Sequence, residues 1–286
     1  MSASKRYLLY ASVALILLSS SIAHAAATAG YDTVLFDVSP EAVETGRRAI
    51  AEIVRGGVER GKITAAEADA ILRRLSTTVD LARALGEADF VVEAAPERID
   101  IKIGLFGDIG RLAPARAFVA SNTSALSLTE MAATLADPSR VAGMHFFNPV
   151  HKMKLIEVVQ ALETSPATLD AVQEVASRMG KDTVLVRESP GFITTRVNAS
   201  IGNEAFYMLM EGVASARDID KALKLGLNHP MGPFELVDLV GLDTRLSILE
   251  YLHRSMGEKY RPCPLLVQYV KAGRLGRKVG RGVYEY

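Results

Sequence analysis

The sequence has few of the features that would assign it to a class directly. It carries one cysteine, Cys263, in 286 residues, so it can form neither an intrachain disulfide nor a thiolate cluster for a metal. One free thiol is compatible with a reducing compartment. Formal net charge is also absent, because Lys plus Arg and Asp plus Glu both number 33. Non-specific nucleic-acid binders carry a basic excess, so no nucleic-acid partner is expected.

The beginning of the chain lacks charge altogether, since residues 7–31 contain no Asp, Glu, Lys or Arg. Lys5 and Arg6 precede an apolar centre at residues 13–18, and residues 23–25 read Ala-His-Ala. A basic start, an apolar middle and a small-x-small exit are typical of a secretory signal peptide. Two other interpretations are a membrane anchor of marginal length and a buried strand that leads into a buried helix.

What the chain does have is an alternation of apolar runs and helical patterns. Strands are predicted at the apolar runs 33–37, 89–93 and 117–122. Residues 40–75 are predicted to be helical around a turn at 61–64, where Thr64 and Glu67 form a capping box. A further helix is predicted to end at Gly30. Strands that alternate with helices predict a parallel sheet with helices on both faces.

Residues 141–159 contain two apolar runs separated by an Asn-Pro break, and each run predicts a short strand. His145 lies near the end of the first run and Glu157 lies inside the second. In neighbouring strands the carboxylate would orient the imidazole and stabilise its protonated form, which makes a general base. The structural alternative is a core histidine at a strand end and a solvent-facing acid on an edge strand.

Polar residues collect where the predicted strands end. These positions are Asp37, residues 93–97, residues 122–124 and residues 145–148. The ligand crevice of a parallel sheet lies beyond the carboxyl ends of its strands, so the sequence predicts a binding site at this edge.

From residue 188 onward the strand pattern gives way to helices. They are predicted at residues 196–210, 216–225, 234–256 and 265–272. We therefore expect a sheet domain over residues 1–187 and an all-helical domain over residues 188–286. Apolar stretches interrupt the charged faces of these helices, which indicates that part of the second domain buries against a partner chain.

Seven motifs, in order, carry a resemblance to a known family. They are Ala-Ser-Asn-Thr-Ser at 120–124, His-Phe-Phe-Asn-Pro at 145–149, Pro-Met-Gly-Pro-Phe-Glu-Leu at 230–236, and the runs at 89–97, 189–193, 240–244 and 273–278. Over residues 22–286 the chain resembles 3-hydroxyacyl-CoA dehydrogenases, closest to the short-chain bacterial 3-hydroxybutyryl-CoA type. The resemblance implies an α/β fold, with a Rossmann-type parallel-sheet domain followed by an all-helical C-terminal domain.

The resemblance also implies NAD-dependent oxidation of a short-chain (S)-3-hydroxyacyl-CoA to the 3-ketoacyl-CoA, a reaction of fatty acid metabolism. His145 matches the family's general base, and Glu157 matches the acid that orients it. Ser124 would hydrogen-bond the reacting oxygen, and Asn148 would lie near the nicotinamide. Thr195 stands where much of the family has asparagine, and its hydroxyl can still donate a hydrogen bond.

The cofactor side of the site follows from the same resemblance, with NAD as the cofactor and NADP as the second candidate. Asp37 would accept hydrogen bonds from the adenosine ribose hydroxyls. The further cofactor contacts that the resemblance implies are Glu97, Lys102, Lys278, Ser124 and Asn148.

Each of these side chains also has a structural interpretation. Ser124 would cap the helix predicted near residue 128, and Asp37 would cap the turn at residues 39–40. Glu97 would be an acid favoured at a helix start, and the two lysines would be solvated charges.

One family element is missing, the Gly-x-Gly-x-x-Gly turn before the ribose acid. Counted back from the helix at residue 22, its glycines belong at the positions of Ala14, Ile16 and Ser19, and no glycine precedes Gly30. Side chains there would obstruct the pyrophosphate. An altered reading frame or start in the first codons is one explanation, and an export signal over residues 1–25 is the other. Because removal of that segment would take the first strand out of the sheet, we expect the former. A cytoplasmic location is implied by the resemblance.

The resemblance implies an acyl-CoA substrate, and Arg47, Arg48 and Lys62 are candidates to meet its phosphates. A homodimer formed through the helical domain is expected, and membrane association is not. Two other functions stay open. One is a non-catalytic acyl-CoA-binding or structural relative that has lost the dinucleotide turn, and the other is a hydroxyacid dehydrogenase that acts without CoA.

Overall fold

The computed structural model describes residues 6–11 and 16–286, and the chain divides into two compact units, Met1–Glu188 and Ser189–Tyr286. The boundary lies one residue beyond the predicted one. Position 14, where the first glycine of the family turn is expected, lies outside the described residues.

A sheet of eight strands is the centre of the first unit. The strands are β1 (Arg6–Ala11), β2 (Asp32–Phe36), β3 (Leu75–Thr78), β4 (Phe90–Ala94), β5 (Phe118–Ser121), β6 (Val141–Phe146), β7 (Leu155–Gln160) and β8 (Asp182–Arg187). Their order in the sheet is β3-β2-β1-β4-β5-β6-β7-β8. The first six strands run parallel, which confirms the predicted Rossmann-type sheet, whereas β7 runs antiparallel to β6 and parallel to β8.

Helices cover the sheet and connect its strands. In the first unit they are α1 (Ile16–Thr28), α2 (Pro40–Glu59), α3 (Ala65–Arg73), α4 (Leu81–Leu85), α5 (Ile99–Leu112), α6 (Leu128–Ala132) and α7 (Pro166–Arg178). All five residues of β4 and all six of β6 are buried, as expected for strands covered on both faces. The predicted capping box is confirmed, since Glu67 N donates to Thr64 Oγ1 and Thr64 N donates to Glu67 Oε2. Gly30 ends α1 with a φ of +92°, as its position in the sequence predicts.

The charge-free beginning of the chain contributes β1 and α1 to this domain. β1 lies between β2 and β4 in the middle of the sheet. Ile22 and Ala23 of α1 are fully buried and belong to the same core cluster as Tyr31 and Leu35. The described residues therefore agree with the third interpretation of the segment, since a strand of the sheet leads into a buried helix. Across residues 6–11 and 16–286, no helix is both long enough and apolar enough to cross a membrane.

The second unit is built from helices around its own core. They are α8 (Thr194–Met210), α9 (Ala216–Gly226), α10 (Pro233–Val240), α11 (Leu242–Met256) and α12 (Pro264–Lys271). The prediction of one helix over residues 234–256 is wrong, because Gly241 separates α10 from α11 with a φ of +105°. A residue with a side chain rarely adopts that conformation. Phe206 and Phe234 meet edge to face in the core, with ring centroids 5.2 Å apart.

Helix α1 also carries a histidine whose ionisation is tied to folding. The imidazole of His24 is largely buried, and its Nδ1 has no hydrogen-bond partner among the described residues. Burial, followed by the nearby charges of His151 and Lys181, lowers the pKa of His24 from 6.5 to about 4. The folded chain therefore holds this side chain neutral at pH 5, where an unfolded histidine is protonated.

The lowered pKa makes stability depend on pH in a defined direction. Because the unfolded chain binds the proton more tightly, the contribution of His24 to folding is complete above pH 6.5 and is lost as pH falls towards 4. Between pH 7.5 and 5.0 this loss is about 2 kcal/mol. Between these two pH values, the free energy of unfolding of His24→Gln should therefore fall by about 2 kcal/mol less than that of the wild type. Urea titrations at both pH values measure this difference. His229→Gln, in the other unit, serves as the control and should keep the wild-type difference. An unchanged pH dependence in the His24 variant would contradict the assignment.

Candidate active site

The candidate site begins with a histidine and an acid on adjacent antiparallel strands. His145 of β6 lies directly opposite Glu157 of β7 in the sheet register. His145 Nδ1 donates to Glu157 Oε2 at 2.7 Å, and the two residues are 7% and 0% exposed. The predicted neighbouring arrangement of the two runs is present. The alternative of a solvent-facing acid on an edge strand is wrong, because β8 covers the outer side of β7 and pairs Val184 with Glu157.

The strand that carries the histidine is held close to its neighbours. Gly143 lies two residues before His145, and a Cβ built on it would come within 2.7 Å of Val159 Cβ and 2.8 Å of Leu128 Cδ1. Only glycine therefore allows this approach of β6 to β7 and α6. After the strand, the ring of Phe147 tilts against the imidazole, with centroids 4.7 Å apart.

The chemistry of the pair follows from its geometry. A buried carboxylate that accepts from Nδ1 fixes the tautomer and the orientation of the ring. Nε2 is then the nitrogen that takes up or releases a proton. Such a pair is suited to general acid–base work on an oxygen of a bound ligand.

A second acid holds the loop that follows β5. Glu97 Oε1 accepts from Thr123 Oγ1 at 2.7 Å, from Ser124 N at 2.7 Å, from Ser124 Oγ at 3.0 Å and from Ala125 N at 3.1 Å. The helix-start interpretation of Glu97 therefore misses its main contacts, which lie on this loop. The helix-cap interpretation of Ser124 is wrong, because Ser127 caps α6 by accepting from Glu130 N.

Lys102 is one of the least exposed charged side chains of the described chain. It is 1% exposed, and its Nζ donates to Glu93 Oε1 at 2.7 Å and to the carbonyl oxygen of Ala95 at 3.0 Å. The interpretation of Lys102 as a solvated charge is wrong for that reason. The sequence placed Glu93 at a strand end without a role. An acid inside the apolar run of β4 was the available signal, because a buried charge needs a partner.

Asp37 follows the end of β2, and one of its carboxylate oxygens accepts no hydrogen bond from the described residues. The residue is fully buried, and its Oδ1 accepts from Ser39 N at 2.9 Å. Its Oδ2 has no hydrogen-bond partner among the residues that the structure describes. Burial raises the pKa of Asp37, against the opposing effect of the Ser39 amide. The turn-capping interpretation therefore accounts for one oxygen, while the other fits a donor from a ligand such as a ribose hydroxyl.

Three further predicted positions belong to the first unit. Asn122 Oδ1 accepts from Phe146 N at 2.9 Å and ties the ends of β5 and β6 together. Asn148 is exposed and forms a cis peptide bond with Pro149. Ser19, where the third family glycine is expected, is buried within α1. The acids at the carboxyl edge of the sheet thus fit a dinucleotide. The described part of the family's Gly-x-Gly-x-x-Gly turn, however, contains no glycine.

Two predicted site residues belong to the second unit. Thr195 is half-buried in the first turn of α8. Lys278 Nζ donates to both carboxylate oxygens of Asp243 at 2.6 Å. Lys278 is therefore ion-paired within its own unit, and the roles of both residues stay predictions.

Comparisons with known proteins match both units. Residues 17–189 match the family model described as 3-hydroxyacyl-CoA dehydrogenase, NAD binding domain, and residues 191–286 match the C-terminal domain of the same family. A probable 3-hydroxybutyryl-CoA dehydrogenase of Bacillus subtilis is 47% identical over 270 residues, which cover 94% of either chain. A 3-hydroxybutyryl-CoA dehydrogenase of Bradyrhizobium diazoefficiens is 42% identical over 94% of this chain and 92% of its own.

The solved structures extend the similarity through β1. The crystal structure of (S)-3-hydroxybutyryl-CoA dehydrogenase from Ralstonia eutropha superimposes with a TM-score of 0.93 and 39% identity, covering 99% of both chains. The fold therefore matches over nearly the whole chain, while the family sequence model begins at residue 17.

The unpartnered oxygen of Asp37 leads to a prediction about NADH. Asp37→Asn should raise the dissociation constant of NADH about tenfold to a hundredfold, because a hydrogen bond to a charged group contributes about 1.5–3 kcal/mol. Since burial raises the pKa of Asp37, wild-type affinity should begin to fall, as the pH is lowered, at a higher pH than an ordinary aspartate would give. The variant should lack that dependence.

Fluorescence titration with NADH between pH 5 and 8 measures both effects. Asp32→Asn, at the other end of β2, is the matched control and should bind as the wild type does. Wild-type affinity and pH dependence in the Asp37 variant would rule the ribose contact out.

Proposed function

The chain belongs to the 3-hydroxyacyl-CoA dehydrogenase family as an NAD-dependent dehydrogenase, and from this premise we propose that it oxidises a short-chain (S)-3-hydroxyacyl-CoA, such as 3-hydroxybutyryl-CoA, to the 3-ketoacyl-CoA. The observation that carries the proposal is the buried hydrogen bond of 2.7 Å between His145 and Glu157 at the carboxyl edge of the sheet. Two relatives named as 3-hydroxybutyryl-CoA dehydrogenases support the short chain length. A cytoplasmic location belongs to the same proposal, because NAD and CoA are used there.

In the proposed reaction His145 is the general base. Its Nε2 takes the proton of the substrate 3-hydroxyl, and Glu157 stabilises the imidazolium that forms. Bound NAD supplies the acceptor for the hydride that leaves C3. Ser124 Oγ donates to the reacting oxygen and stabilises the charge that develops on it. In the reverse direction His145 returns the proton to the ketone oxygen.

The cofactor contacts are assigned by the same reasoning. Asp37 would accept the ribose hydroxyls through its spare oxygen, and Glu97 would lie beside the nicotinamide half through the loop that it holds. Asn148, three residues after the base, is exposed and could reach the same region. Asp37 favours NAD, because a carboxylate accepts from a free 2′-hydroxyl and would repel the phosphate that NADP carries there.

A basic group on the first unit is suited to the phosphates of CoA. Burial, and then the charges of Lys152, Lys181, Arg60 and Lys62, lower the pKa of His151, so each of these cations acts on that side chain. Of the sequence candidates, Arg47 and Arg48 lie 2.7 Å and 3.9 Å from Glu44, so Lys62 has the stronger support as a phosphate contact.

Turnover with the two forms of the substrate tests the proposed reaction. The purified protein should oxidise NADH with acetoacetyl-CoA far faster than with free acetoacetate, as followed by NADH absorbance. Preference for free acetoacetate would favour a hydroxyacid dehydrogenase that acts without CoA.

Replacement of the base gives the sharpest prediction. His145→Gln should lower kcat about a hundredfold to ten-thousandfold, the range that a lost general base covers, while the dissociation constant of NADH stays nearly unchanged. His253→Gln removes the other described histidine–glutamate pair, in which Nε2 lies 3.1 Å from Glu258, and it should keep full activity. Joint loss of turnover and NADH binding in the His145 variant would instead mark the residue as structural.

One observation favours a second candidate function. No glycine precedes Gly30, and Ser19 occupies a position of the family's phosphate turn. A relative without that turn would keep the fold and bind acyl-CoA without turnover. NADH titration separates the candidates, since absence of binding at millimolar cofactor supports the second.

We further propose that the protein is a homodimer assembled through its helical unit. A groove of about 500 Å³ runs along α8, α9 and α11. Leu227, which lines it, is 66% exposed, and Val213 and Leu225 are exposed in the same unit. Apolar exposure of this kind is typical of a surface that another chain covers, and a second copy of this chain is the occupant that we propose.

The dimer has its own test. Leu227→Glu should shift the protein from dimer to monomer at micromolar concentration in sedimentation velocity, because burial of an unpaired carboxylate is strongly unfavourable. Leu162→Glu, at a site that is 78% exposed in the other unit, should leave the dimer intact. A Leu227 variant that stays dimeric would exclude this face as the interface.

A further inference from the structure

One acid of the candidate site is hydrogen-bonded at both carboxylate oxygens and has no part in the proposed reaction. Glu93 lies next to last in β4 and is fully buried. Its Oε1 accepts from Lys102 Nζ at 2.7 Å and from the amide of Ala95, and its Oε2 accepts from Ser121 Oγ at 2.5 Å. Ser121 is also its register partner on β5. The carboxylate is therefore fixed at both oxygens.

Lys102 connects this buried acid to a second one. Its Nζ lies 3.6 Å from Glu97 Oε2 while it donates to Glu93. Glu93 and Lys102 are 0% and 1% exposed, whereas the Glu97 side chain is 35% exposed. The lysine thus lies between an acid in the core and an acid at the edge of the site.

The other oxygen of Glu97 continues the chain of contacts to the reacting group. Oε1 accepts from the backbone amides of Ser124 and Ala125 as well as from Ser124 Oγ. The two amide bonds keep the loop in place while the Ser124 hydroxyl turns to a substrate oxygen. The position of the Ser124 hydroxyl therefore depends on Glu93, through the contacts of Lys102 and Glu97.

The charges explain why the buried acid matters for this geometry. When Glu93 is ionised, its negative charge compensates the positive charge of Lys102 in the core. Glu97 Oε1 then stays free to accept the hydrogen bonds of the loop. Without that charge the ammonium has only Glu97 to neutralise it, and full pairing draws the carboxylate away from the Ser124 amide. Buried ion pairs contribute little to stability compared with apolar pairs of similar volume, so stability alone does not account for this one.

We propose that Glu93 is a positioning residue for the dehydrogenase reaction, which sets Glu97 and the Ser124 hydroxyl through the buried ammonium of Lys102. The inference rests on the proposed role of Ser124. It also gives Lys102 a role within the protein that is separate from any contact with the cofactor.

Kinetics of Glu93→Gln test the inference. The variant should lower kcat for acetoacetyl-CoA about tenfold to a hundredfold, the effect of a small misplacement in a catalytic group, with little change in KM or in the NADH dissociation constant. Asp89→Asn is the matched control. Asp89 immediately precedes the other end of β4 and pairs with Arg116 at 3.1 Å, and its loss should leave kcat unchanged.

A double-mutant comparison separates positioning from a merely structural role. If Glu93 acts through Ser124, then Glu93→Gln should reduce kcat little further in a Ser124→Ala background. If the two losses multiply, the inference is overturned. An unchanged kcat in Glu93→Gln overturns it as well.

A second variant keeps the test decisive if the single change prevents folding. Glu93→Met combined with Lys102→Met removes both charges and keeps the volume, an exchange that buried ion pairs often tolerate. It should fold and also lose kcat, because Glu97 then lacks the ammonium that lies 3.6 Å from its Oε2 and helps to position it. Wild-type kcat in this variant would contradict the inference. Failure of the two proposals is distinguishable, because a wild-type protein without turnover overturns both, whereas a Ser124→Ala defect beside a fully active Glu93→Gln overturns only this one.

Discussion

Burial of acids at the carboxyl edge of the sheet is the constraint on which the site depends. An ionised carboxylate taken out of water is stable only when hydrogen-bond donors replace that water. Glu157 accepts from an imidazole, and Glu93 accepts from an ammonium, a hydroxyl and an amide. Asp37 has one such donor and keeps an oxygen that no described residue satisfies. The need of a buried carboxylate for donors therefore explains both kinds of acid. Glu157 and Glu93 find their donors within the protein, whereas Asp37 has an oxygen that a ligand can satisfy.

The reversal of chain direction at β7 gives this edge its catalytic pair. Antiparallel pairing sets His145 directly opposite Glu157, and β8 then shields the acid from water on the far side. Were β7 the last strand of the sheet, solvent would screen the charge and weaken its hold on the imidazole. Close approach of β6 and β7 at Gly143 fixes the distance over which the two groups meet.

Much of this arrangement can be read from the sequence, because local patterns determine it. The capping box at Thr64, the helix stop at Gly30 and the polar residues at strand ends all follow from spacing. The break at Gly241 does not, since a glycine within an apolar helical pattern is compatible with continuation. The choice of Ser127 over Ser124 as the helix cap depends on backbone angles that both serines could adopt. Contacts of Glu93 with Lys102 and Ser121 join three elements, so only their common burial reveals them.

The place of β1 in the sheet has a consequence for the behaviour of the whole chain. Six residues near the amino end form the ladder that joins β2 and β3 to the other strands. Damage to β8 would expose one new edge, whereas loss of β1 would expose two, those of β2 and β4, and would divide the sheet. Unpaired edges are templates for association with other chains. A substitution that disrupts β1 would therefore expose two strand edges and promote aggregation of the chain, whatever its effect on catalysis.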